Sequence, residues 1–246
     1  MATFHIDLDQ APAELRAGLG ELLAQDAARL ARDGAPVTFV PEAGLTGLRV
    51  TRAGDGFQVA YGRKIDAFRA LGRLFGMAAP GAFAETAHFD TLGIMLDCSR
   101  NGVMTPASVR EFLRRGALMG LNLVMLYTED TYEVPGEPFF GYLRGRYTYD
   151  ELKALDDYAD ALGVEMIPCI QTLGHLEQIL QWPAYEDLRD VPGVLLAEDP
   201  RVYALLEKMI AAASAPFRTK RIHIGMDEAH GVGTGRYREK FGEKPP

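Results

Sequence analysis

From about residue 90 onward the chain alternates short apolar segments with amphipathic helical segments, and this alternation restricts its fold more than any other feature. The apolar segments predict four β-strands, at Leu92–Leu96, Leu121–Tyr127, Val164–Ile170 and Arg221–Gly225. The helical segments are Pro106–Met119, Tyr149–Leu162 and about Pro200–Ala213. Apolar strands separated by helices are typical of a parallel sheet built from right-handed βαβ units. We therefore expect an α/β fold, either a (β/α)8 barrel or a doubly wound sheet.

Polar residues follow each predicted strand, and they help to choose between these two folds. The clusters are Asp97–Arg100, Tyr127–Asp130, Gln171–His175 and Asp227–Glu228. Active sites of α/β barrels lie at the carboxyl ends of several strands, whereas a doubly wound sheet usually concentrates its site at one switch point. Four polar strand ends favour a TIM-type barrel. No glycine-rich phosphate-binding pattern follows any strand, which argues against a nucleotide-dependent enzyme.

The barrel-like region is short for a complete barrel. Residues 86–246 hold four strand-helix units, whereas a whole (β/α)8 barrel needs roughly 250 residues. We therefore expect this region to be the N-terminal half of a catalytic barrel, with only about the first four βα units present. On this interpretation the chain is the front half of a longer enzyme.

Residues 1–85 follow a different pattern and predict a small α+β domain. A short strand at Phe4–Leu8 precedes a helix at Ala13–Arg32, which Gly34 is expected to end. The rest of the domain is predicted as three strands and one helix, at Val37–Val40, Leu48–Thr51, Phe57–Tyr61 and Ile65–Met77. We interpret Ala78–Thr86 as the linker to the barrel.

Composition and charge limit the partners and the compartment. The net charge of -8 disfavours a nucleic-acid partner or an anionic membrane surface. The first residues show no signal-peptide pattern, and no uncharged apolar run reaches the length of a spanning helix. The two cysteines, Cys98 and Cys169, lack metal-ligand spacing and are interpreted as reduced core thiols. These observations predict a cytoplasmic protein with no membrane partner.

Asp227 and Glu228 form the sharpest chemical feature. Two acids directly after an apolar strand are unfavourable for a buried strand unless they have a role there. Neighbouring carboxylates push each other's pKa values apart, so that the protonated member of such a pair can act as a general acid. The alternative is a loop with solvated acids or a helix cap, and the spacing alone does not separate the two interpretations.

The run His223-x-Gly225-x-Asp227-Glu228 resembles the acid motif of the family 20 glycoside hydrolases, the β-N-acetylhexosaminidases, in their compact exo-acting bacterial branch. Four other segments resemble the same family in the expected order, namely Phe57–Met77, Leu92–Met104, Leu121–Val134 and Gly163–Leu180. The first is similar to the end of the small domain before the barrel, and the others are similar to the first three barrel strands. The resemblance therefore spans nearly the whole chain.

The resemblance implies hydrolysis of terminal β-linked N-acetylglucosamine or N-acetylgalactosamine by a substrate-assisted retaining mechanism, an exception to the usual two-carboxylate scheme. The acetamido oxygen of the substrate attacks the anomeric carbon and forms an oxazolinium. Glu228 is then the acid that protonates the leaving oxygen and the base towards water. Asp227 orients the acetamido group and stabilises the developing positive charge. No metal or organic cofactor is implied, and the expected partner is a small glycan or glycoside.

The resemblance also assigns substrate-binding roles to residues at the other strand ends. Arg100 would donate two hydrogen bonds to sugar hydroxyls, and His175 would order the site by bonding an acid or a hydroxyl. Glu129 and Asp130 are candidates to bond His175 or Glu228, and Asp130 is favoured as the support of the general acid. Tyr127 and Tyr132 occupy a region where the family often carries histidine and tryptophan, and Tyr127 is included among the candidate site residues.

Two alternatives stay open. The chain is either an active enzyme or a truncated, inactive or merely sugar-binding fragment, whose exposed sheet edges would favour aggregation or a homo-oligomer. A retaining glycosidase with an enzyme nucleophile would need a second carboxylate about 5–5.5 Å from Glu228. Glu129 and Asp130 are the only good candidates for that nucleophile in this sequence, and we rank this alternative low.

Overall fold

In the computed structural model, which describes residues 2–26, 28–100 and 102–243, strands and helices alternate along much of the chain. The strands are β1 (Phe4–His5), β2 (Ala35–Pro41), β3 (Gly47–Ala53), β4 (Gly56–Tyr61), β5 (Phe83–Thr86), β6 (Gly93–Asp97), β7 (Leu123–Thr128) and β8 (Glu165–Ile170). The helices are α1 (Ala13–Gln25), α2 (Lys64–Gly76), α3 (Pro106–Met119), α4 (Tyr149–Ala161), α5 (Glu177–Leu180), α6 (Pro200–Ser214) and α7 (Arg236–Phe241), with a 3₁₀ helix at Pro183–Leu188.

The chain divides into two compact units, and neither is continuous in sequence. The first comprises Met1–Ile94, Pro106–Val124 and Asp157–Glu165, and the second comprises Met95–Thr105, Met125–Asp156 and Met166–Pro246. The domain boundary expected between residues 85 and 86 stays a prediction.

The first unit contains a five-stranded mixed sheet in the order β1-β2-β4-β3-β5. β1 and β4 run parallel to β2, whereas β3 runs antiparallel to both β4 and β5. The core residues of α1 and α2 recur at helical spacing and are completely buried, namely Leu15, Leu19, Leu22, Phe68, Leu71 and Leu74. A Cβ at Gly18 would lie 2.5 Å from Cζ of Phe68, so glycine allows close packing at this point.

Helix α1 is shorter than its sequence pattern suggested. It ends at Gln25 rather than Arg32, and Leu30 instead forms a parallel bridge with Phe4. The amide of Phe4 donates to the carbonyl of Arg29 at 2.8 Å, so tertiary pairing replaces the helical bonds. Gly34 therefore does not end the helix. A Cβ at Gly34 would lie 2.5 Å from the carbonyl carbon of Phe4, and glycine lets the two backbones approach.

The predicted linker Ala78–Thr86 is wrong over its second half, because Phe83–Thr86 is strand β5. It pairs antiparallel with β3. Glu85 accepts hydrogen bonds from Arg69 at 2.9 Å and from Arg73, both on α2. The partners on β3 and α2 are distant in sequence, so they were not visible in the local pattern. The glycine and proline of this segment indicated a loop instead.

A second sheet contains three strands in the order β6-β7-β8, and helices α3 and α4 connect the neighbouring strands. This alternation of strands and helices confirms the expected α/β fold. Helix α3 has the predicted bounds. β6 is more exposed than its apolar sequence indicated, since the exposed fraction of Met95 is 47%. None of the helices in the described part of the chain combines the length and the hydropathy of a transmembrane helix.

The predicted fourth strand, Arg221–Gly225, is reduced to a single parallel bridge between His223 and Cys169. The amide of His223 donates to the carbonyl of Pro168, and the amide of Ile170 donates to the carbonyl of His223, both at 2.9 Å. Gly225 has φ of +70° and leaves the extended conformation, which ends the pairing. The apolar pattern of this segment therefore predicted its position beside β8 but overestimated its regularity.

Candidate active site

The polar residues that follow β6, β7 and β8 and the bridge at His223 all lie in the second unit and are joined by side-chain contacts. The contacts run from Arg100 through Tyr127 and Gln171 to Asp227, and then to His175 and Glu228. Six residues from four separate segments thus form one continuous polar cluster. We call it the strand-end cluster.

Tyr127 is the central hydroxyl of the strand-end cluster. Its oxygen accepts hydrogen bonds from Nη2 of Arg100 at 2.9 Å and from Nε2 of Gln171 at 3.1 Å, and it donates to Oε1 of Glu129 at 3.0 Å. A phenol can make one donated and two accepted bonds, so its capacity is used fully. Burial raises the pKa of Tyr127 well above its ordinary value, which keeps the hydroxyl protonated.

Arg100 is held from three directions but remains half exposed. Its Nη1 atom lies 3.3 Å from Oδ2 of Asp97, and its Nε atom lies 3.5 Å from Oε1 of Glu129. Its guanidinium carbon stands 4.6 Å from the ring centroid of Tyr127, within the range of a cation–π contact. These contacts orient the guanidinium, and its exposed part can still bind a ligand.

Gln171 connects the two ends of the cluster. Its Nε2 donates to Oδ1 of Asp227 at 2.8 Å, and its Oε1 accepts from the amide of Met226 at 3.1 Å. A Cβ on Gly225 would lie 2.1 Å from Oε1 of Gln171, so only glycine leaves room for this arrangement. The amide side chain therefore holds both the carboxylate and the backbone that precedes it.

Asp227 is an ionised, oriented acceptor. The hydrogen bond from Gln171 is the largest cause that lowers the pKa of Asp227 below its ordinary value, and the neighbouring His175 lowers it further. Its side chain is 57% exposed. One carboxylate oxygen is thus fixed by Gln171, while the group as a whole stays accessible to a ligand.

His175 stands between the two acids. Its Nε2 lies 3.4 Å from Oδ2 of Asp227 and 3.4 Å from Oε2 of Glu228, and this nitrogen has no partner with hydrogen-bond geometry among the described residues. His175 and Glu228 have positive φ angles of 55° and 48°, which are uncommon for these residue types. Backbone strain at these positions is often found where side chains are aimed at a functional site.

In the part of the chain that the structure describes, one group of side chains has a spacing that could hold a metal ion. One ligand atom from each of His175, Asp227 and Glu228 lies within 4.8 Å of the others. An imidazole flanked by two carboxylates is equally suited to holding and moving a proton. The arrangement therefore supports acid–base chemistry without requiring an ion.

Glu129 and Asp130 are buried beneath this surface. Burial raises the pKa of both carboxyl groups, although Tyr127 and Arg100 partly oppose the shift at Glu129, and Arg144 opposes it at Asp130. Oδ1 of Asp130 lies 3.5 Å from Nη2 of Arg144. Neither acid forms a hydrogen bond with His175 or Glu228, so the support of the acid pair by Asp130 stays a prediction.

The structure brings Arg100, Tyr127, Glu129, His175, Asp227 and Glu228 into one cluster, with Asp130 beside it. Residue-by-residue prediction missed Gln171 as the connecting residue, and it missed Ser99, whose hydroxyl accepts from the amide of Glu129 at 2.7 Å. Both are polar residues at the end of a strand, and that position is the signal that could have identified them.

Comparison with known proteins gives a consistent family. The family model described as "Glycosyl hydrolase family 20, catalytic domain" matches residues 89–243, which is more than half of the chain. Hexosaminidase D of Homo sapiens is 32% identical over 123 residues, covering 48% of this chain and 25% of that protein. Hexosaminidase D of Bos taurus is 29% identical over 134 residues, covering 52% of this chain and 38% of that protein. The chain thus spans only a quarter to two-fifths of these curated relatives.

Solved structures show the same likeness in three dimensions. The exo-β-N-acetylglucosaminidase of Vibrio harveyi, in complex with N-acetylglucosamine, matches 100% of this chain and 47% of its own, with a TM-score of 0.78 and 19% identity. The β-hexosaminidase of Streptomyces plicatus matches 92% of this chain and 55% of its own, with a TM-score of 0.74 and 19% identity. These likenesses show a similar α/β fold, and the chain spans about half the length of both proteins.

Proposed function

The chain belongs to glycosyl hydrolase family 20, and from this premise we propose that it carries the catalytic acid pair of an exo-acting β-N-acetylhexosaminidase. Its substrates are small glycans or glycosides with a terminal β-linked N-acetylglucosamine or N-acetylgalactosamine. The observation that carries the proposal is the hydrogen bond of 2.8 Å from Gln171 to Asp227, which holds an ionised carboxylate beside Glu228.

The proposed first step uses the acetamido group of the substrate as the nucleophile. The acetamido oxygen forms a bond to the anomeric carbon as the bond to the leaving oxygen breaks, and the carboxyl group of Glu228 gives its proton to that oxygen. The acetamido group becomes a cyclic oxazolinium ion. In the second step Glu228 accepts a proton from water, the water oxygen bonds to the anomeric carbon, and the ring opens to restore the acetamido group.

Asp227 orients the acetamido group in this proposal. Its carboxylate accepts a hydrogen bond from the acetamido N–H, and its negative charge stabilises the positive charge of the oxazolinium. Both roles need the ionised form, and the lowered pKa of Asp227 supports them. The fixed contact with Gln171 supports the orientation, because a preorganised charge does not need to reorient during the reaction.

Arg100 binds the terminal sugar in this proposal, and Tyr127 positions Arg100. The half-exposed guanidinium of Arg100 donates to two adjacent sugar hydroxyls, a geometry that its planar fork suits. Tyr127 and Glu129 hold that guanidinium from its buried side. His175, whose Nε2 lies 3.4 Å from a carboxylate oxygen of each acid, orders the pair.

We place Glu129 and Asp130 as supports rather than as a covalent nucleophile. A nucleophilic carboxylate must reach the anomeric carbon of the substrate, whereas Glu129 and Asp130 are only 6% and 1% exposed. Asp130, together with Arg144, then supports the loop that follows β7. A retaining mechanism with an enzyme nucleophile is correspondingly disfavoured.

The proposal extends to the architecture. We infer that residues 1–85 form a small α+β domain and that residues 86–246 provide about the first four βα units of a (β/α)8 TIM-type barrel. The order β6-β7-β8 and the bridge at His223 support four consecutive positions in such a barrel. Coverage of about half of the solved family 20 structures supports the same reading.

A second candidate function is sugar binding without turnover by this chain. It rests on the exposed fractions of Asp227 and Glu228, which are 57% and 65%. Efficient charge stabilisation requires exclusion of water, which strengthens electrostatic interactions. On this candidate function the open site binds a sugar but does not exclude water well enough for turnover.

We further propose that the chain has no nucleic-acid or membrane partner, on the basis of the net charge of -8. We propose a cytoplasmic location separately, because the two free, buried cysteines Cys98 and Cys169 suit a reducing compartment. A homo-oligomer is an additional proposal. Its support is the exposure of apolar side chains on β6 and beside the acid pair, namely 47% for Met95, 40% for Ile224 and 49% for Met226.

Release of an aryl group from an aryl N-acetyl-β-glucosaminide, compared with the matching aryl β-glucoside, tests the proposed activity. We expect release only from the N-acetylated substrate, because glucose lacks the internal nucleophile. Equal rates on both substrates would overturn the substrate-assisted mechanism. Absence of turnover together with saturable binding of N-acetylglucosamine in calorimetry would support the sugar-binding alternative.

A further inference from the structure

Residues 190–195 form a closed turn between the 3₁₀ helix and α6, and we call this turn the bridging loop. Arg189 and Leu195 close it as an antiparallel bridge, and the amide of Asp190 donates to the carbonyl of Val194 at 2.9 Å. Asp190 and Leu195 are both buried. The bridging loop lies outside the strand-end cluster, but it bonds two of the chain segments from which that cluster is built.

One side of the bridging loop holds the segment that carries His175. The amide of Leu195 donates to the carbonyl of Leu173 at 3.0 Å, and the carbonyl of Gly193 accepts from the amide of Leu176 at 3.0 Å. These two bonds lie on either side of His175, whose φ is +55°. A histidine with this backbone conformation is uncommon, and the conformation persists only where the surrounding contacts determine it. The bridging loop supplies such contacts.

The other side of the bridging loop holds the segment that follows the acid pair. Oδ2 of Asp190 accepts a hydrogen bond from the amide of Gly233 at 2.6 Å, and Oδ1 accepts from the amide of Tyr237 at 2.8 Å. The carbonyl of Asp190 accepts from the amide of Arg236 at 3.2 Å. A Cβ on Gly235 would lie 2.4 Å from the same carbonyl oxygen, so the two backbones are in direct contact. Asp190 therefore fixes this segment with both carboxylate oxygens and with its backbone.

Consecutive turns connect Gly233 to Glu228, which lies only a few residues earlier in the chain. The carbonyl of Glu228 accepts from the amide of His230 at 2.6 Å, and the carbonyl of Ala229 accepts from the amide of Val232 at 3.2 Å. Glu228 itself has φ of +48°, in the left-handed region that is uncommon for glutamate. A segment that is turned and bonded in this way has little freedom to absorb a displacement. A shift at Gly233 is therefore expected to move Glu228.

We propose that Asp190 is a positioning residue that sets the carboxyl group of Glu228 against the imidazole of His175. This inference rests on the proposed hydrolase function. The bridging loop bonds the segments of both strained residues, and Nε2 of His175 lies 3.4 Å from Oε2 of Glu228. Without the carboxylate of Asp190, the amides of Gly233 and Tyr237 lose a buried acceptor, and the segment after the acid pair is released. Glu228 then meets the leaving oxygen less well, because proton transfer requires hydrogen-bond distance.

The dependence of hydrolysis on the leaving group tests this role. The measured quantity is the ratio of kcat/KM on methyl N-acetyl-β-glucosaminide, whose leaving oxygen must be protonated, to kcat/KM on the dinitrophenyl glycoside, whose leaving group needs no proton. Asparagine has one acceptor oxygen where aspartate has two, so in Asp190→Asn one of the two amides meets an N–H group. We expect this variant to lower the ratio about 10- to 100-fold, the effect of misplacing a catalytic group by about 1 Å. An unchanged ratio overturns the proposal, even if the variant is less stable.

Asp66→Asn is the matched control. Asp66 is 5% exposed, compared with 6% for Asp190, and it accepts from the backbone amide of Arg63 at 2.9 Å within the first unit. Its replacement should leave the ratio unchanged, because a smaller folded fraction lowers both rates equally. If Asp190→Asn does not fold, Gly235→Ala takes its place, since the added Cβ would press on the carbonyl oxygen of Asp190. We expect a lower ratio in folded Gly235→Ala, and an unchanged ratio there also overturns the proposal.

Nuclear magnetic resonance of the His175 imidazole separates this inference from the proposed hydrolysis. The ring signals are assigned by their loss in His175→Gln. Glu228→Gln should shift these signals in the otherwise wild-type chain, because the two side chains are neighbours, and it should shift them much less in the Asp190→Asn background. If the wild-type chain hydrolyses neither glycoside but this difference is observed, the proposed hydrolysis fails and the positioning role stands. Equal shifts in both backgrounds overturn the positioning role.

Discussion

Gln171 and Asp227 are joined by a hydrogen bond of 2.8 Å, although they stand 56 positions apart in the chain. Gln171 is buried at the end of β8, whereas Asp227 is largely exposed. The same glutamine also bonds the hydroxyl of Tyr127. One buried amide therefore joins Asp227, which we propose to bind the acetamido nitrogen, to Tyr127, which holds the Arg100 that we propose to bind the sugar hydroxyls.

Replacement of Gln171 by leucine should lower kcat/KM on an aryl N-acetyl-β-glucosaminide by roughly 10- to 100-fold. A hydrogen bond to a charged group contributes about 1.5–3 kcal/mol, and each 1.4 kcal/mol corresponds to about tenfold in rate. Gln178→Leu, at an exposed position of α5, is the control. Equal activity of both variants would mean that Asp227 needs no orientation by Gln171.

Replacement of Glu228 by glutamine should affect substrates according to their leaving group. Loss of the proton donor should slow hydrolysis by about 10²- to 10⁴-fold for a substrate with a poor leaving group such as an alkoxide. A dinitrophenolate leaves without protonation, so its release should be much less reduced in the first turnover. Measurement of burst and steady-state rates for both glycosides checks this prediction. A uniform loss across leaving groups would contradict the assignment of Glu228 as general acid.

Replacement of Gly225 by alanine should disturb both stability and activity. The added Cβ would meet Oε1 of Gln171 at 2.1 Å, and the φ of +70° costs an alanine about 1–2 kcal/mol in addition. We expect a free energy of unfolding lowered by roughly 1–3 kcal/mol in urea titrations, together with a reduced kcat. Gly81→Ala is the control, because a Cβ there meets no atom within 4 Å. Similar effects of both substitutions would refute the steric argument.

Asp199 should make the stability of the second unit depend on acid pH. Its buried carboxylate accepts from the amide of Arg201 at 3.0 Å at the start of α6, and from Nζ of Lys240 at 2.7 Å. The hydrogen bond from the Arg201 guanidinium, followed by that from Lys240, holds the pKa of Asp199 well below its ordinary value. The stabilisation is therefore present above the ordinary pKa of about 3.9 and is lost as the pH falls through the lowered value.

The corresponding variant is Asp199→Ala, which should lower the free energy of unfolding at pH 7 by roughly 1–3 kcal/mol through the loss of the helix cap and its ion pairs. The difference from wild type should shrink below about pH 4. Asp187→Ala, at a side chain that is 74% exposed, should change stability much less. A difference that stays constant from pH 7 to pH 2 would contradict the role of the ionised carboxylate.

The sequence predicted the features that depend on local periodicity. The bounds of α3 follow from apolar residues at helical spacing after Pro106, and the ends of β7 and β8 lie within a few residues of the apolar runs. The position of Asp227 and Glu228 beside the other strand ends also followed from the repeated order of strand, polar cluster and helix. These features need only interactions between residues that are close in the chain.

Tertiary contacts decided the remaining features. Leu30 leaves the helical pattern because Phe4 supplies backbone partners, and Phe83–Thr86 becomes a strand because β3 does. Gln171 was visible only as one polar residue among several at a strand end. Its position between Tyr127 and Asp227 depends on three backbone segments meeting at one place, and no local pattern encodes that meeting. The sequence by itself thus determined the acid pair and its family, whereas the folded chain decided which buried side chain holds that pair, because hydrogen-bond partners are selected by distance in space and not by distance along the chain.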